Sequence, residues 1–528
     1  MNTADILQIS GAVVPDRVAV ADGDGHVTYA ELQTRVNKMA HALHALEVGK
    51  GENVGIMAVN SAHFLELYYA TASVGGTFVP LNFRAKPEEL QYMIDASKVS
   101  VLFVAERYWP IYEKIKDQLP SLRHVFTLGF DAEGHGNYDA LRADGADQYF
   151  VSPTPVDDDD PALVIYTSGT TALPKGVVLT HKTLTAYVVN TQNPCDPSQE
   201  QDCTLVSVPL FHVAGATTML GSIWSGRKLA VLPQFSPPDW LAVVEKERVT
   251  HAFVVPTMLK RVMELDDFEN YDISSLQLIT YGAAPMPFEV VRKAVEVFTT
   301  AGLMNAYGQT ESTSTMTYLD PDDHRLDGTP EENELKIKRL RSVGRPMPDI
   351  DVGILAPDGS EVEQGAEGEI CIRGDRIMRE YQGREEETAE AVQSGWLHTG
   401  DLGLMDPDNY LFITGRLKDL IIRGGENIGS AELENVLEDH PSITEAAVIG
   451  IPDVEWGEIV KAIVVKDPKF TDPTPDQEEM TGYVKGRLAS YKAPALYEWI
   501  AELPRNHLGK VLKNDLRKEY GKPEAAQD

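Results

Sequence analysis

The sequence predicts an α/β protein. It has a large N-terminal domain of layered mixed and parallel sheets with helices, a small barrel-like subdomain, and a small α+β C-terminal domain. Three observations lead there. Through the first part of the chain, short apolar runs alternate with stretches that are apolar at helical spacing. From about residue 345 the runs become short strands divided by Gly, Asp and Pro. After GRLKDLIIRGGENI (415–428) the chain restarts as a compact mixture of helices and strands.

The elements follow in order. VTYAELQTRVNKMAHALHAL (27–46) has helical periodicity, with Thr28 and Glu31 in capping-box positions. NVGIMAVN (53–60) reads as a buried strand, FLELYYATASVGG as a helix, and VSVLFVAE (99–106) as another strand. This rhythm implies a largely parallel sheet covered on both faces. The charged, Pro-punctuated PTPVDDDDP (153–161) leads into the strand ALVIYT, and TLVSVPL (204–210), RKLAVLP (227–233) and THAFVVP (250–256) continue the pattern. DVGILAPDG, GEICIRG and NYLFITGR form the barrel-like module. SAELENVLEDHP, ITEAAVIGIPD, EIVKAIVVKD, EMTGYVKGRLASY and GKVLKNDLRKEY give the last unit. The boundary is set near Arg416–Lys418, dividing the chain into 1–416 and 417–528. The second part, roughly 110 residues, is long enough to fold alone.

Composition narrows the function. A chain of 528 residues exceeds one growing core. The net charge of -34 argues against nucleic acid or an anionic membrane as main partner. A polyanionic substrate would need local cations and backbone N–H groups to hold it. Cys195, Cys203 and Cys371 form no metal or disulfide spacing. The N-terminus has no signal-peptide pattern, and no run of 18 apolar residues is present, so a cytoplasmic protein is expected.

YTSGTTALPKG (166–176) crowds hydroxyls, two glycines and a lysine into one loop. It is not a G-x-x-x-x-G-K-[ST] loop: Pro174 stands where the second glycine belongs, and Gly176 follows Lys175. Backbone N–H groups at Gly169 and Gly176, with the hydroxyls of Thr167, Ser168, Thr170 and Thr171, can still ring an anion, and Lys175 adds a point charge. A solvated Ser/Thr/Gly turn has the same composition.

Six further segments decide between these readings: PLFHVAG (209–215), YGAAPM (281–286), NAYGQTES (305–312), GWLHTGDL (395–402), GRLKDLIIRGGENI (415–428) and PRNHLGK (504–510). With YTSGTTALPKG they resemble, in order, the motif set of the adenylate-forming (AMP-binding) superfamily. Within it the chain looks like the acyl-CoA synthetase and fatty-acid–CoA ligase branch. The likeness runs from about residue 20 to the C-terminus. One departure is Ala172, where most relatives have glycine; it implies a stiffer loop and bears on nucleotide affinity.

The resemblance implies ATP, Mg²⁺ and coenzyme A as reactants and assigns roles. Glu311 is the Mg²⁺ ligand, and Thr310 donates to the α-phosphate. Tyr307 stacks on adenine, while Gly282 and Ala283 let the base approach backbone. Asp401 receives the ribose hydroxyls, and Arg416 reaches the ribose or phosphates from the opposite side. Lys510 bridges the carboxylate and the α-phosphate during adenylation, alongside Lys175 and Thr310. The C-terminal domain is mobile about Lys418, and Gly425 lines the access tunnel for the pantetheine arm. His212 is placed beside the acyl carboxylate as a wall or gate, with proton transfer the lesser role.

The acyl slot is expected among Val213, Ala214, Thr217, Met219, Trp224, Ala284 and Met316, an apolar lining. No acid stands where an amino-acid ammonium would require one. A medium or long-chain fatty acid is the first expectation, an aromatic or alicyclic acid the second. Other readings are a luciferase-like oxygenase, acyl transfer to a separate carrier protein, and a catalytically silent scaffold, which would lack Lys510, Glu311 or Lys175. A homodimer is possible.

Overall fold

Among the described residues the strands form four sheets, and two large ones carry the N-terminal part. The computed structural model describes residues 1–167, 173–284, 286, 288–505 and 510–521. The N-terminal part thus has the layered, mixed and parallel sheets expected of it. Apolar runs report burial on both faces but not which sheet a strand joins.

The eight-stranded sheet has Asn53–Met57 between Thr77–Pro80 and Val99–Ala105, all parallel. Six of the seven residues of Val99–Ala105 are buried, as both-face coverage requires. On one side the order continues through Pro161–Thr167, Lys175–Thr180 and Glu380–Tyr381. Pro161–Thr167 and Lys175–Thr180 are antiparallel, with Thr167 opposite Lys175. These two strands flank the hydroxyl-rich segment in sequence.

The nine-stranded sheet is parallel from Val18–Asp22 through Lys228–Val231, Cys203–Val206, His251–Val254 and Leu278–Gly282 to Gly302–Gln309, with antiparallel strands at both edges. Helix Tyr29–Ala45 begins with the expected capping box of Thr28 and Glu31. Beside it, helix Ala62–Val74 buries Glu66 at 1% exposure. Arg35 at 3.1 Å, Arg142 at 2.8 Å and the Tyr138 hydroxyl at 2.6 Å satisfy that carboxylate.

The third sheet is the barrel-like module, ordered Asp351–Leu355, Gly368–Arg373, Trp396–Met405 and Val392–Gln393, with Leu411–Arg416 also paired to Trp396–Met405. Sheet membership changes after Arg416: the next strand, Ile421–Arg423, belongs to the fourth sheet with Glu426–Ile428, Gly457–Lys466, Ile443–Asp453 and Leu496–Ile500. Helices Ser430–Glu438, Gln477–Lys485 and Lys513–Tyr520 complete this unit. It rides close to the barrel strand. A Cβ on Gly429 would stand 2.6 Å from the Thr414 carbonyl oxygen. Among the described residues, no helix is long and apolar enough to cross a membrane.

Glu66→Ala leaves two guanidinium groups and a buried phenol without their acceptor. It is expected to cost about 2–4 kcal/mol, read as a lowered denaturation midpoint, while Glu66→Gln costs less.

Candidate active site

The site is organised on a hairpin. Trp396–Met405 and Leu411–Arg416 pair with Asp401 directly opposite Arg416, which sets Arg416 Nε 2.7 Å from Asp401 Oδ1. On the other oxygen, Oδ2, the Tyr307 hydroxyl donates at 2.7 Å and Gln309 Nε2 at 3.2 Å. Gln309 Nε2 also donates to the Thr399 carbonyl at 2.9 Å. Asp401 is 2% exposed, yet Oδ1 has no aligned hydrogen-bond donor. The carboxylate is thus neutralised in charge, with the Arg416 contact at Oδ1 out of line for a hydrogen bond.

The turn before Asp401 is tied equally closely. Glu369 accepts from His398 Nδ1 at 2.7 Å and from the Gly400 amide at 3.0 Å, and the Thr399 hydroxyl accepts from the Asp401 amide at 3.1 Å. Burial first, then the Asp401 charge, raises Tyr307 well above the ordinary phenol range, so its proton stays in the bond to Asp401.

Cations gather around this carboxylate. Lys510 is pushed down to about 8 by burial and then by Arg416 and Lys418, with Asp401 and Asp419 opposing. Lys418 is also lowered, by burial first and then by Arg416. Burial acts to raise Asp419, but Lys513, Arg517 and Lys418 hold it below the usual carboxylate range. Arg517 donates to Asp419 Oδ1 at 2.7 Å. Lys510, from the end of the chain, therefore shares one electrostatic neighbourhood with Asp401 and Arg416 of the barrel module. In a chain of net charge -34 this is a local group of cations set against the overall field.

The remaining expectations fall as follows. Ser168, Gly169, Thr170, Thr171 and Ala172 lie outside the described residues. Lys175 pairs with Glu387 and lies 4.8 Å from the centroid of the Tyr381 ring. Glu311 sits with Thr310 in a single helical turn, followed by left-handed Thr313 and Ser314. The Tyr381 hydroxyl donates to Glu311 Oε1 at 2.8 Å, which leaves Oε2 for another partner. A half-buried hard carboxylate oxygen of this kind fits Mg²⁺.

Two expectations need correction. Arg416 does not face Asp401 across a nucleotide; the hairpin register places the two side by side. At Gly282 a Cβ would lie 2.1 Å from the Ala306 carbonyl oxygen, so the neighbouring strand packs close against that side of the glycine. Within the acyl lining, Thr217, Met219 and Met316 are buried at 4%, 3% and 0%, and both methionines belong to the main hydrophobic core. His212, Val213 and Ala214, at the start of helix Val213–Trp224, are partly accessible, as are Trp224 at its end and Ala284. The His212 and Phe211 ring centroids are 4.4 Å apart. Ala283 adopts φ of 67°, a left-handed conformation costing an alanine about 1–2 kcal/mol. Such strain often accompanies a binding site. Gly424 and Gly425, both at positive φ, make the two-residue turn between Ile421–Arg423 and Glu426–Ile428.

Gln309, Glu369, His398, Tyr381 and Glu387 were not anticipated. Gln309 had a signal, since it lies two residues beyond Tyr307 on one strand and projects to the same side. The others depend on pairings between distant strands, to which residue spacing is blind.

A model of the AMP-binding enzyme family matches residues 7–382, and one of its C-terminal domain matches residues 432–510. The chain belongs to the AMP-binding enzyme family. A feruloyl-CoA synthase of Amycolatopsis is 35% identical over 516 residues, covering 96% of each chain. A long-chain-fatty-acid–CoA ligase of Mycobacterium tuberculosis is 34% identical over 502 residues, covering 94% of each. An indoleacetate–CoA ligase of Aromatoleum aromaticum is 34% identical over 521 residues, covering 98% of each. Among solved structures, a Mycobacterium tuberculosis fatty acyl CoA synthetase matches with TM-score 0.79 at 31% identity over 99% of both chains. This family member therefore stands among AMP-forming acid–CoA ligases, and its fold is that of adenylate-forming enzymes.

With Lys510 near 8, its charge is present at pH 7 and is lost as pH rises through 8. Acid-dependent ATP–pyrophosphate exchange should fall across pH 8–9. In Lys510→Arg, whose guanidinium stays charged there, the residual activity should lack that alkaline limb.

Proposed function

We propose that this enzyme joins an apolar carboxylic acid to the thiol of coenzyme A through an acyl-adenylate. The carboxylate oxygen bonds to the α-phosphorus of ATP and pyrophosphate leaves. The thiolate then bonds to the acyl carbon and AMP leaves. The observation that carries this reading is the group of Arg416, Lys418 and Lys510 around the buried carboxylate of Asp401. Cations suit a polyphosphate, and a carboxylate acceptor suits a ribose hydroxyl.

In this account Asp401 orients the ribose, and Tyr307 and Gln309 hold Asp401. Only the ring of Tyr307 is left for the base, because its hydroxyl is committed. Lys510 places positive charge between two anions that must meet, where it matters most in the transition state. Lys175 and the hydroxyl-rich segment before it serve the outer phosphates. Glu311, with Thr310 beside it, would hold Mg²⁺, which supplies charge neutralisation on the phosphates.

The sheets of the barrel module and the C-terminal unit are separate, and Gly415 and Gly429 keep the contact between them thin. The Arg341–Asp439 ion pair at 3.1 Å, which ties the C-terminal unit to the N-terminal part, is 39% and 38% exposed, a weak tie. In the proposed cycle the C-terminal unit turns about Lys418 once the adenylate has formed, bringing the Gly424–Gly425 turn towards the incoming thiol.

Helix Val213–Trp224 carries no charged side chain, which favours an uncharged acyl group. A medium or long-chain fatty acid is the first reading. An aryl or alicyclic acid is the second, favoured by the relatives named for ferulate and indoleacetate.

A panel of fatty and aryl acids, scored by pyrophosphate release and by acyl-CoA formation, tests the proposal. Acid-dependent pyrophosphate with matching thioester is expected; ADP and phosphate would refute it. Lys510→Ala should lose on the order of a hundredfold or more in adenylate formation, the scale of a removed transition-state charge. It should largely retain thioester formation from supplied acyl-adenylate.

A further inference from the structure

Lys175 is already engaged. Its ammonium pairs with Glu387 and lies over the Tyr381 ring. The lysine and glutamate side chains are 18% and 29% exposed, so the pair is only partly screened by water. Glu387 also receives Arg384 at 2.6 Å, and Arg384 donates to the Tyr92 hydroxyl at 2.9 Å. The hydrogen bond from Lys175 comes first among the causes that hold the Glu387 carboxyl below the usual range.

Tyr381 connects this pair to Glu311. Its backbone is fixed twice: it pairs with Val177 in the sheet, and its amide donates to the Thr388 hydroxyl at 2.9 Å. Its hydroxyl donates to Glu311 Oε1 at 2.8 Å, and burial and the Glu311 charge keep that phenol protonated. One rigid ring therefore touches both the loop lysine and the carboxylate assigned to the metal.

We propose that Glu387 stands in for nucleotide phosphate. It holds Lys175 on Tyr381 before ATP arrives and yields the lysine to the outer phosphates, so that Glu387 limits ATP affinity. Tyr381 is the positioning residue that keeps the loop lysine and Glu311 in register. This rests on the adenylation reading above. The exchange is favourable because a triphosphate offers the ammonium several charged oxygens in place of one carboxylate. The same carboxylate repels incoming phosphate, so both effects act in one direction.

The test is the KM for ATP in acid-dependent pyrophosphate exchange. Glu387→Gln should lower it by about threefold to tenfold, the range of a partly exposed ion pair, with the gain shrinking as salt is added. Glu387→Asp, which keeps the charge on a shorter arm, should fall between and guards against a folding defect in the glutamine variant. In a Lys175→Ala background, Glu387→Gln should change KM by less than about twofold, the mark of two coupled groups. Tyr381→Phe keeps the ring but frees Glu311, and should raise the Mg²⁺ concentration needed for half-maximal rate. An unchanged or higher KM in both Glu387 variants, or the same gain without Lys175, would overturn the proposal while leaving adenylation intact. Absence of exchange in the unaltered enzyme would instead overturn the adenylation reading, and this proposal with it.

Discussion

Everything in the site is arranged around one buried carboxylate that must stay charged. Asp401 is sealed from water, and a buried charge survives only when it is paired and hydrogen-bonded. The hairpin supplies Arg416, the neighbouring large sheet supplies Tyr307 and Gln309, and Glu369 with His398 fixes the turn that carries it. The nine-stranded sheet and the barrel module are held in register by this ring of contacts. Moving either one would leave the charge exposed to an apolar interior.

The charge pattern follows from the same constraint. The molecule as a whole repels anions, yet burial, and after it the mutual repulsion of Arg416, Lys418 and Lys510, pulls the two lysines down. A nearby anion offsets both effects. Glu387 performs that service for Lys175 at the other end of the proposed phosphate track, where Tyr381 joins lysine and Glu311. Cations held by weak or temporary partners are ready for phosphate without reorganising the backbone.

The strands and helices of the core were legible because apolar runs and helical spacing report burial directly. Val99–Ala105, the Thr28 cap and the terminal helix-and-strand unit all appear where the pattern placed them. The assignment of each strand to one of the two large sheets was not legible, since it depends on which buried strand pairs with which. The same limit applies to the site. Asp401 and Arg416 stand out as residues, but their side-by-side placement comes from strand register. Glu387 looks like any acid in a glutamate-rich stretch until Glu380–Tyr381 is seen beside the Lys175 strand. Met219 and Met316 read equally well as pocket lining or as core, and packing decided for core.

In the proposed reaction Asp401 accepts a ribose hydroxyl in place of its misaligned contact with Arg416. Calorimetric titration with AMP and with its 2′,3′-dideoxy analogue, on the unaltered enzyme and on Asp401→Ala, tests it most directly. The account predicts that the unaltered enzyme binds AMP about tenfold or more tightly than the analogue, as a charge-assisted hydrogen bond implies, and that Asp401→Ala binds the two alike. Equal affinities in the unaltered enzyme would contradict it.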